Sequence, residues 1–349
     1  MKRLLLVLVA ATWLLPGAAH AAACSPLNCA ASQFPLAGGS LLGFRANVDA
    51  PVNVVDLRTG ETRWRLPNGV VGGNLLVHQS GMSLEWYDAG RGVKVASAKV
   101  PGVGSLAGVS QDGTRAVVTQ LNRGDRDFTI VTRTDERTIT VPGTKWEFDA
   151  LRGDNLFLIH YLDTGGYEVR LAHVGSRTLD AAPLKDPHES GVIWGQPFSR
   201  LPSADGRFLF TVYIGQNGGA MIHELDLQTA KARCIDLPGT GNYGAATTWT
   251  MQLSRNGKTL WAVNPGYGRA VAIDVAARTV KSAFRISLGG WFLGKGTSSA
   301  LSPDGLTLAV ADSRSVAHID LKLHKVVSRR AGNAIALGYA PDGRLWTLA

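Results

Sequence analysis

The 349-residue chain holds three cysteines and four methionines, and it lacks the short signatures of several chemistries. No Cys-x-x-Cys-His occurs, which excludes covalent haem, and no Cys/His spacing fits structural zinc. No G-x-S-x-G is present, which excludes a nucleophile-elbow serine. Two nucleotide-like spellings fail on context. Gly239-Thr-Gly-Asn-Tyr-Gly244 is followed by a strand-like run rather than a helix, and 289–295 nearly spells a phosphate loop but has Gly296 where a magnesium-holding Ser or Thr is required. Charge is low, at 18% of residues. The net +9, from 36 basic and 27 acidic residues, is dispersed, which argues against a nucleic-acid partner.

Past the N-terminus no apolar run is long enough to span a bilayer. The first residues, MKRLLLVLVAATWLLPGAAHAAAC, carry two positive charges, a short apolar stretch and then small residues. Ala19-His20-Ala21 fits the A-x-A cleavage rule, so 1–21 reads as a secretory signal and the mature chain as secreted or periplasmic. Lipid attachment at Cys24 is disfavoured, because Ala21 stands where lipoprotein signals carry Leu. Export permits disulfides: Cys24 and Cys29 could close a small loop, leaving Cys234 as a buried thiol.

Glycine, by contrast, is abundant, at 41 residues, and it recurs in a pattern. Asp-Gly or Asn-Gly stands at 112–113, 205–206, 256–257, 304–305 and 342–343, and degenerate versions at 38–39, 72–73 and 153–154 fill the gaps. The mean step is about 43 residues, the period of four-stranded propeller blades. Asp-Gly accepts the positive φ of a tight hairpin, so each marks a chain reversal. A β-rich apolar run follows, as in Phe208-Leu-Phe-Thr-Val-Tyr, and then a strand ending in Asp: Asp56, Asp88, Asp226, Asp274, Asp320. These Asp residues precede turns, so they read as acceptors for turn N–H groups rather than a carboxylate cluster. The fold expected is all-β, a seven-bladed β-propeller with eight blades as the alternative. Residues 22–39 read as a lead segment and 40–349 as one propeller domain. The abrupt final strand within 339–349 is expected to pair with N-terminal strands from about residue 40 on, closing the ring.

Ser302-Pro-Asp-Gly, Leu-Ala-Val-Ala, Ile-Asp-Leu and Lys-Val-Val in the last repeats resemble the YVTN-type repeats of exported bacterial propellers, cousins of WD40-like repeats. Separately, Val54-Val-Asp-Leu-Arg-Thr-Gly-Glu-Thr-Arg-Trp64 resembles the tryptophan-docking motif of quinoprotein (PQQ-type) propellers. Asp56, Thr59, Gly60 and Trp64 match it; Val54 and Glu61 depart from it. It occurs once and implies blade packing, not a quinone cofactor.

Loop length points to a functional rim. The early connections, 67–72 and 101–104, are short, whereas those between 150 and 300 are long and aromatic. The ligand-binding candidates are Tyr161, Trp194, Tyr213, Tyr243, Trp249, Tyr267, Arg269 and Trp291. Trp146 and Trp249 each precede a turn by seven residues, which suggests a packing role for both. The function expected is a monomeric binding propeller for a protein, peptide or glycan of the cell envelope, with no catalytic residues and no cofactor. The alternative is a lactonase-like hydrolase with calcium or another divalent ion at the channel mouth, drawing on Glu147, Glu189, Asp163 and Asn264; a structural role in a larger envelope complex is a third. A second set, His160, Asp163, His188 and Glu189, falls in neighbouring loops but lacks ligand spacing.

Overall fold

The structure, a computed structural model, describes residues 32–36, 40–45, 50–189, 191–288, 297–311, 314–332, 334 and 336–348. Cys24, Cys29, Trp291 and the phosphate-loop-like stretch 289–295 lie outside them. The described residues form seven four-stranded antiparallel blades, at 32–66, 70–99, 105–141, 146–179, 196–237, 250–285 and 298–331, each a meander in which consecutive strands are neighbours. The chain is thus a seven-bladed β-propeller. Its first strand, Ser32–Leu36, lies in the stretch read as a lead segment, so the first blade begins before residue 40.

The Gly turns behave as their chemistry requires. Gly206, Gly257 and Gly305 all sit at positive φ. Each turn also carries a serine that the repeat reading did not single out. Ser302 Oγ donates to Asp304 Oδ1 at 2.6 Å and accepts from Thr307 N at 2.9 Å. Ser203 does the same with Asp205 and Phe208, and Ser254 with Asn256 and Thr259. The second-turn aspartates accept backbone N–H groups: Asp274 from Ala276 and Ala277, Asp320 from Lys322 and Leu323. Burial alone would raise the Asp226 carboxyl. Hydrogen bonds from Arg207 and from the N–H groups of Thr229 and Gln228 bring it down to about 2 instead.

The core is divided among the gaps between blades. Separate apolar clusters join each blade to the next around the ring. The outermost strands are mostly exposed, as in Lys325–Ala331. Closure differs from expectation. The last strand, Leu345–Leu348, pairs only with Ala336–Tyr339, in a two-stranded sheet between blade 7 and blade 1. Among the described residues it pairs with no N-terminal strand, because Leu41–Arg45 already has both edges taken, by Ser32–Leu36 and Val52–Asp56. Side-chain packing closes the ring instead. Leu337 joins the blade 7 cluster, while Ala340 and Trp346 join Leu42 and Leu57 of blade 1.

Trp346 repeats a device used between blades 1 and 2. There the Trp64 indole N–H donates to Ala89 O at 2.8 Å and the ring lies against Gly92, where a Cβ would come within 2.7 Å. In the same way Trp346 donates to Leu57 O and lies against Gly60. Both acceptors follow a turn Asp by one residue and both glycines by four. Trp346→Ala is therefore expected to lower unfolding stability by about 3 kcal/mol. The exposed neighbour change Thr347→Ala should stay within about 0.5 kcal/mol. Urea midpoints of the two variants provide the check.

Candidate functional site

The largest departure from blade regularity lies after blade 4. Its fourth strand is only Thr178–Leu179. The connection that follows, AAPLKDPHESGVIWGQP, contains Pro183, Pro187 and Pro197, which cannot donate to a ladder, and Gly191 and Gly195 at positive φ. It nonetheless returns to the outer edge of the third strand, Tyr167–His173. Leu184 N donates to Val169 O at 2.8 Å, and Tyr167 and Ile193 exchange N–H···O bonds at 3.1 and 2.7 Å. That detour raises a wall beside blade 5 and delivers Trp194 to its top.

Between this wall and blade 5 lies a cleft of about 1190 Å³. It opens on the rim formed by the loops between second and third strands and by the connections to the next blade. Four of the eight predicted residues line it: Tyr161, Trp194, Tyr213 and Tyr243. Trp194 is 60% exposed and Tyr243 38% exposed, and among the described residues these are the two exposed rings of Phe, Tyr or Trp. Each is braced. The benzo ring of Trp194 lies against Gly165 and Gly166, where Cβ atoms would come to 3.2 and 3.3 Å; both glycines have positive φ. Tyr243 meets Phe198 edge-on at 5.9 Å.

Beneath them runs a file of rings, buried except for the half-buried Tyr161. Tyr161 meets Tyr167 at 5.9 Å, Tyr167 meets Tyr213 at 5.3 Å, and Tyr213 meets His223 at 5.9 Å. Burial, and then the charge of Glu147, hold the Tyr161 phenol above its ordinary range; its hydroxyl donates to Glu147 Oε2 at 3.0 Å. Burial likewise lifts Glu147, Tyr213 and Tyr243. Behind Trp194 a smaller cavity of about 220 Å³ holds His223 and Cys234. Burial pushes the Cys234 thiol up to about 12, with Asp186 adding to it. At neutral pH the tyrosines stay hydroxyl donors and the thiol stays protonated.

The candidate set left out the cleft's amide and acidic lining, Gln196, Gln216, Asn217 and Asp236, and the loop aromatic Tyr167. Their visible signal was the glycine flanking them, at 165–166, 195, 215 and 218–219.

Of the other four candidates, Trp291 lies outside the described residues and three lie away from the cleft lining. Trp249 is 2% exposed and sits in the core between blades 5 and 6. The Tyr267 hydroxyl lies 2.8 Å from Asn242 O and 3.0 Å from Gly218 O, joining two loops from behind the cleft. Arg269 opens the strand Arg269–Asp274 and does not line the cleft.

The ligand sets considered for a metal do not converge. His160 stacks on Trp146 at 4.0 Å, Asp163 pairs with Lys145, and Asn264 is buried on Thr248, Ala245 and Tyr267. Among the described residues no group of three His, Cys, Asp or Glu side chains is placed to hold a metal ion. In the Gly239–Gly244 stretch a single helical turn, Tyr243–Ala246, follows the loop where a strand was expected. Asn242 caps it, and the strand begins only at Thr250.

No family model and no curated protein matches the chain. Solved structures do. AztD from Citrobacter koseri is 14% identical over 86% of this chain and 86% of its own, with a TM-score of 0.56. Its apo structure gives 15%, the same coverage, and 0.53. The Dos1 propeller gives 10%, 92% of this chain and 93% of its own, and 0.52. At these identities the likeness extends to the fold.

His223 gives the region a pH signature. Burial first, against the opposing pull of Asp149, lowers its pKa to about 4 from the ordinary 6.5. The unfolded chain therefore binds a proton that the folded one refuses between these values. Stability from this site is complete above about pH 6.5 and falls as pH drops towards 4. Urea midpoints should show a loss of about 2 kcal/mol between pH 7 and pH 5 that His223→Phe abolishes.

Proposed function

We propose that the protein is an exported binding propeller whose ligand, a protein, peptide or glycan of the cell envelope, sits in the cleft between blades 4 and 5. The observation that carries this reading is the placement of the two exposed aromatic rings, Trp194 and Tyr243, in that one cleft. Exposed aromatics gathered in one groove mark recognition sites, and aromatics are their usual anchors. Both rings are already fixed, so little freedom is lost on binding. The shared propeller architecture is consistent with a binding or scaffold role.

Export and a periplasmic or secreted location rest on the N-terminal leader. No helix among the described residues is long and apolar enough to cross a membrane. Kinship with YVTN-type and PQQ-type repeats rests on the Ser302–Gly305 turn and on Trp64 docked at Gly92. We assign the mature protein as a monomer.

Co-sedimentation with isolated cell-envelope fractions tests the reading. Trp194→Ala combined with Tyr243→Ala should lower the melting temperature by no more than about 5 °C and weaken binding roughly tenfold or more. Undiminished binding by the double variant would refute it.

A further inference from the structure

We infer that the ligand of this cleft is a neutral saccharide, with Trp194 as the surface on which a sugar ring stacks. The inference rests on the cleft being the ligand site and narrows the ligand to one class. It follows from what the cleft offers and what it withholds.

It offers flat, fixed aromatic faces at the mouth, suited to the C–H face of a pyranose. Around them stand Gln196, Gln216, Asn217 and Thr240. Amide side chains both donate and accept, as sugar hydroxyls do, so each can meet a hydroxyl in either role. Tyr167, 3% exposed, lines the floor, and its hydroxyl has no hydrogen-bond partner in the protein.

The cleft withholds positive charge. Among the described lining residues none is Lys, Arg or His, and the one charged side chain is Asp236. A phosphorylated, sulfated or carboxylated ligand would meet a carboxylate and no cation. Its loops offer little to an extended peptide, which is usually gripped through main-chain hydrogen bonds. The loop backbone is already paired: Gly215 N to Gly219 O, Gly218 N to Gly215 O, Gly241 N to Asn217 O, and Tyr167 to Ile193 in both directions. What remains for recognition is side-chain amide, hydroxyl and aromatic chemistry.

The test uses the mature protein on an array of neutral oligosaccharides: α- and β-glucan, chitin, xylan, mannan and galactan hexamers. Polygalacturonate is the anionic probe, and a displayed random-peptide library is screened in parallel. Hits are titrated by calorimetry against wild type, Trp194→Ala and Trp194→Tyr. The expected result is binding of at least one neutral hexamer, weakened roughly tenfold or more by Trp194→Ala and largely restored by Trp194→Tyr. If only polygalacturonate or a peptide binds, and Trp194→Ala abolishes that binding, the saccharide assignment falls while the cleft stands. If neutral hexamers bind and Trp194→Ala leaves affinity unchanged, the cleft assignment falls with it. Silence across the neutral panel overturns the saccharide inference.

Discussion

Long side chains that cross from one blade to a backbone carbonyl of a neighbouring blade or connection hold this ring in register. Trp64 reaches Ala89 O, Trp86 reaches Gly113 O, Arg115 reaches Gly153 O, Arg152 reaches Asp205 O, and Arg329 reaches Ser287 O. Trp346 and Arg344 finish the circuit on Leu57 O and Arg58 O. Each bond satisfies a carbonyl left over at a turn or connection, which a meander of isolated blades would otherwise leave to water. This use of arginine also explains a basic chain without a basic patch: the charges are distributed around the ring as inter-blade contacts. Arg200 on buried Asp149 and Arg278 on buried Glu224 do the same between blades 4 and 5 and blades 5 and 6. Closure by packing rather than by a shared sheet is possible because the last gap carries the same tryptophan-on-glycine contact as the first.

The site follows from one local failure of that regularity. A regular fourth strand after His173 would leave blades 4 and 5 simply stacked. The prolines and glycines of 180–197 prevent a continuous ladder, and the chain detours while still meeting Val169 and Tyr167. The detour opens space, supplies Trp194 and covers His223 and Cys234. The rigid ring then keeps the opposite wall, from Tyr213 to Tyr243, at a constant separation. A preformed cleft on a stiff scaffold suits selective holding more than chemistry that needs motion.

The sequence disclosed the fold because turn chemistry is local. Asp-Gly needs no distant partner to bend a chain, so Asp304-Gly305 and Asp205-Gly206 announced their hairpins directly. The docking role of Trp64 was likewise legible from Asp56 and Gly60. Ring closure was not, since nothing local in Leu345–Leu348 says that Leu41–Arg45 is already paired on both sides. The cleft was half legible. Loop aromatics could be named, but whether each meets solvent depends on blades far apart in sequence. Hence Trp194 and Tyr243 are exposed, while Trp249, in an equally suggestive loop, is sealed between blades. Tyr267 carries the composition of a binding residue and the geometry of a brace.

Hydroxyl-radical footprinting in the presence of isolated cell-envelope material tests whether recognition is confined to the rim between blades 4 and 5. The account predicts protection of the side chains of 161–167, 194–196, 213–221 and 236–243. It predicts none at 302–307 and 339–347, which line a second cleft beside the C-terminal strands. Protection of that second cleft, with Trp194 and Tyr243 as reactive as in the free protein, would contradict it.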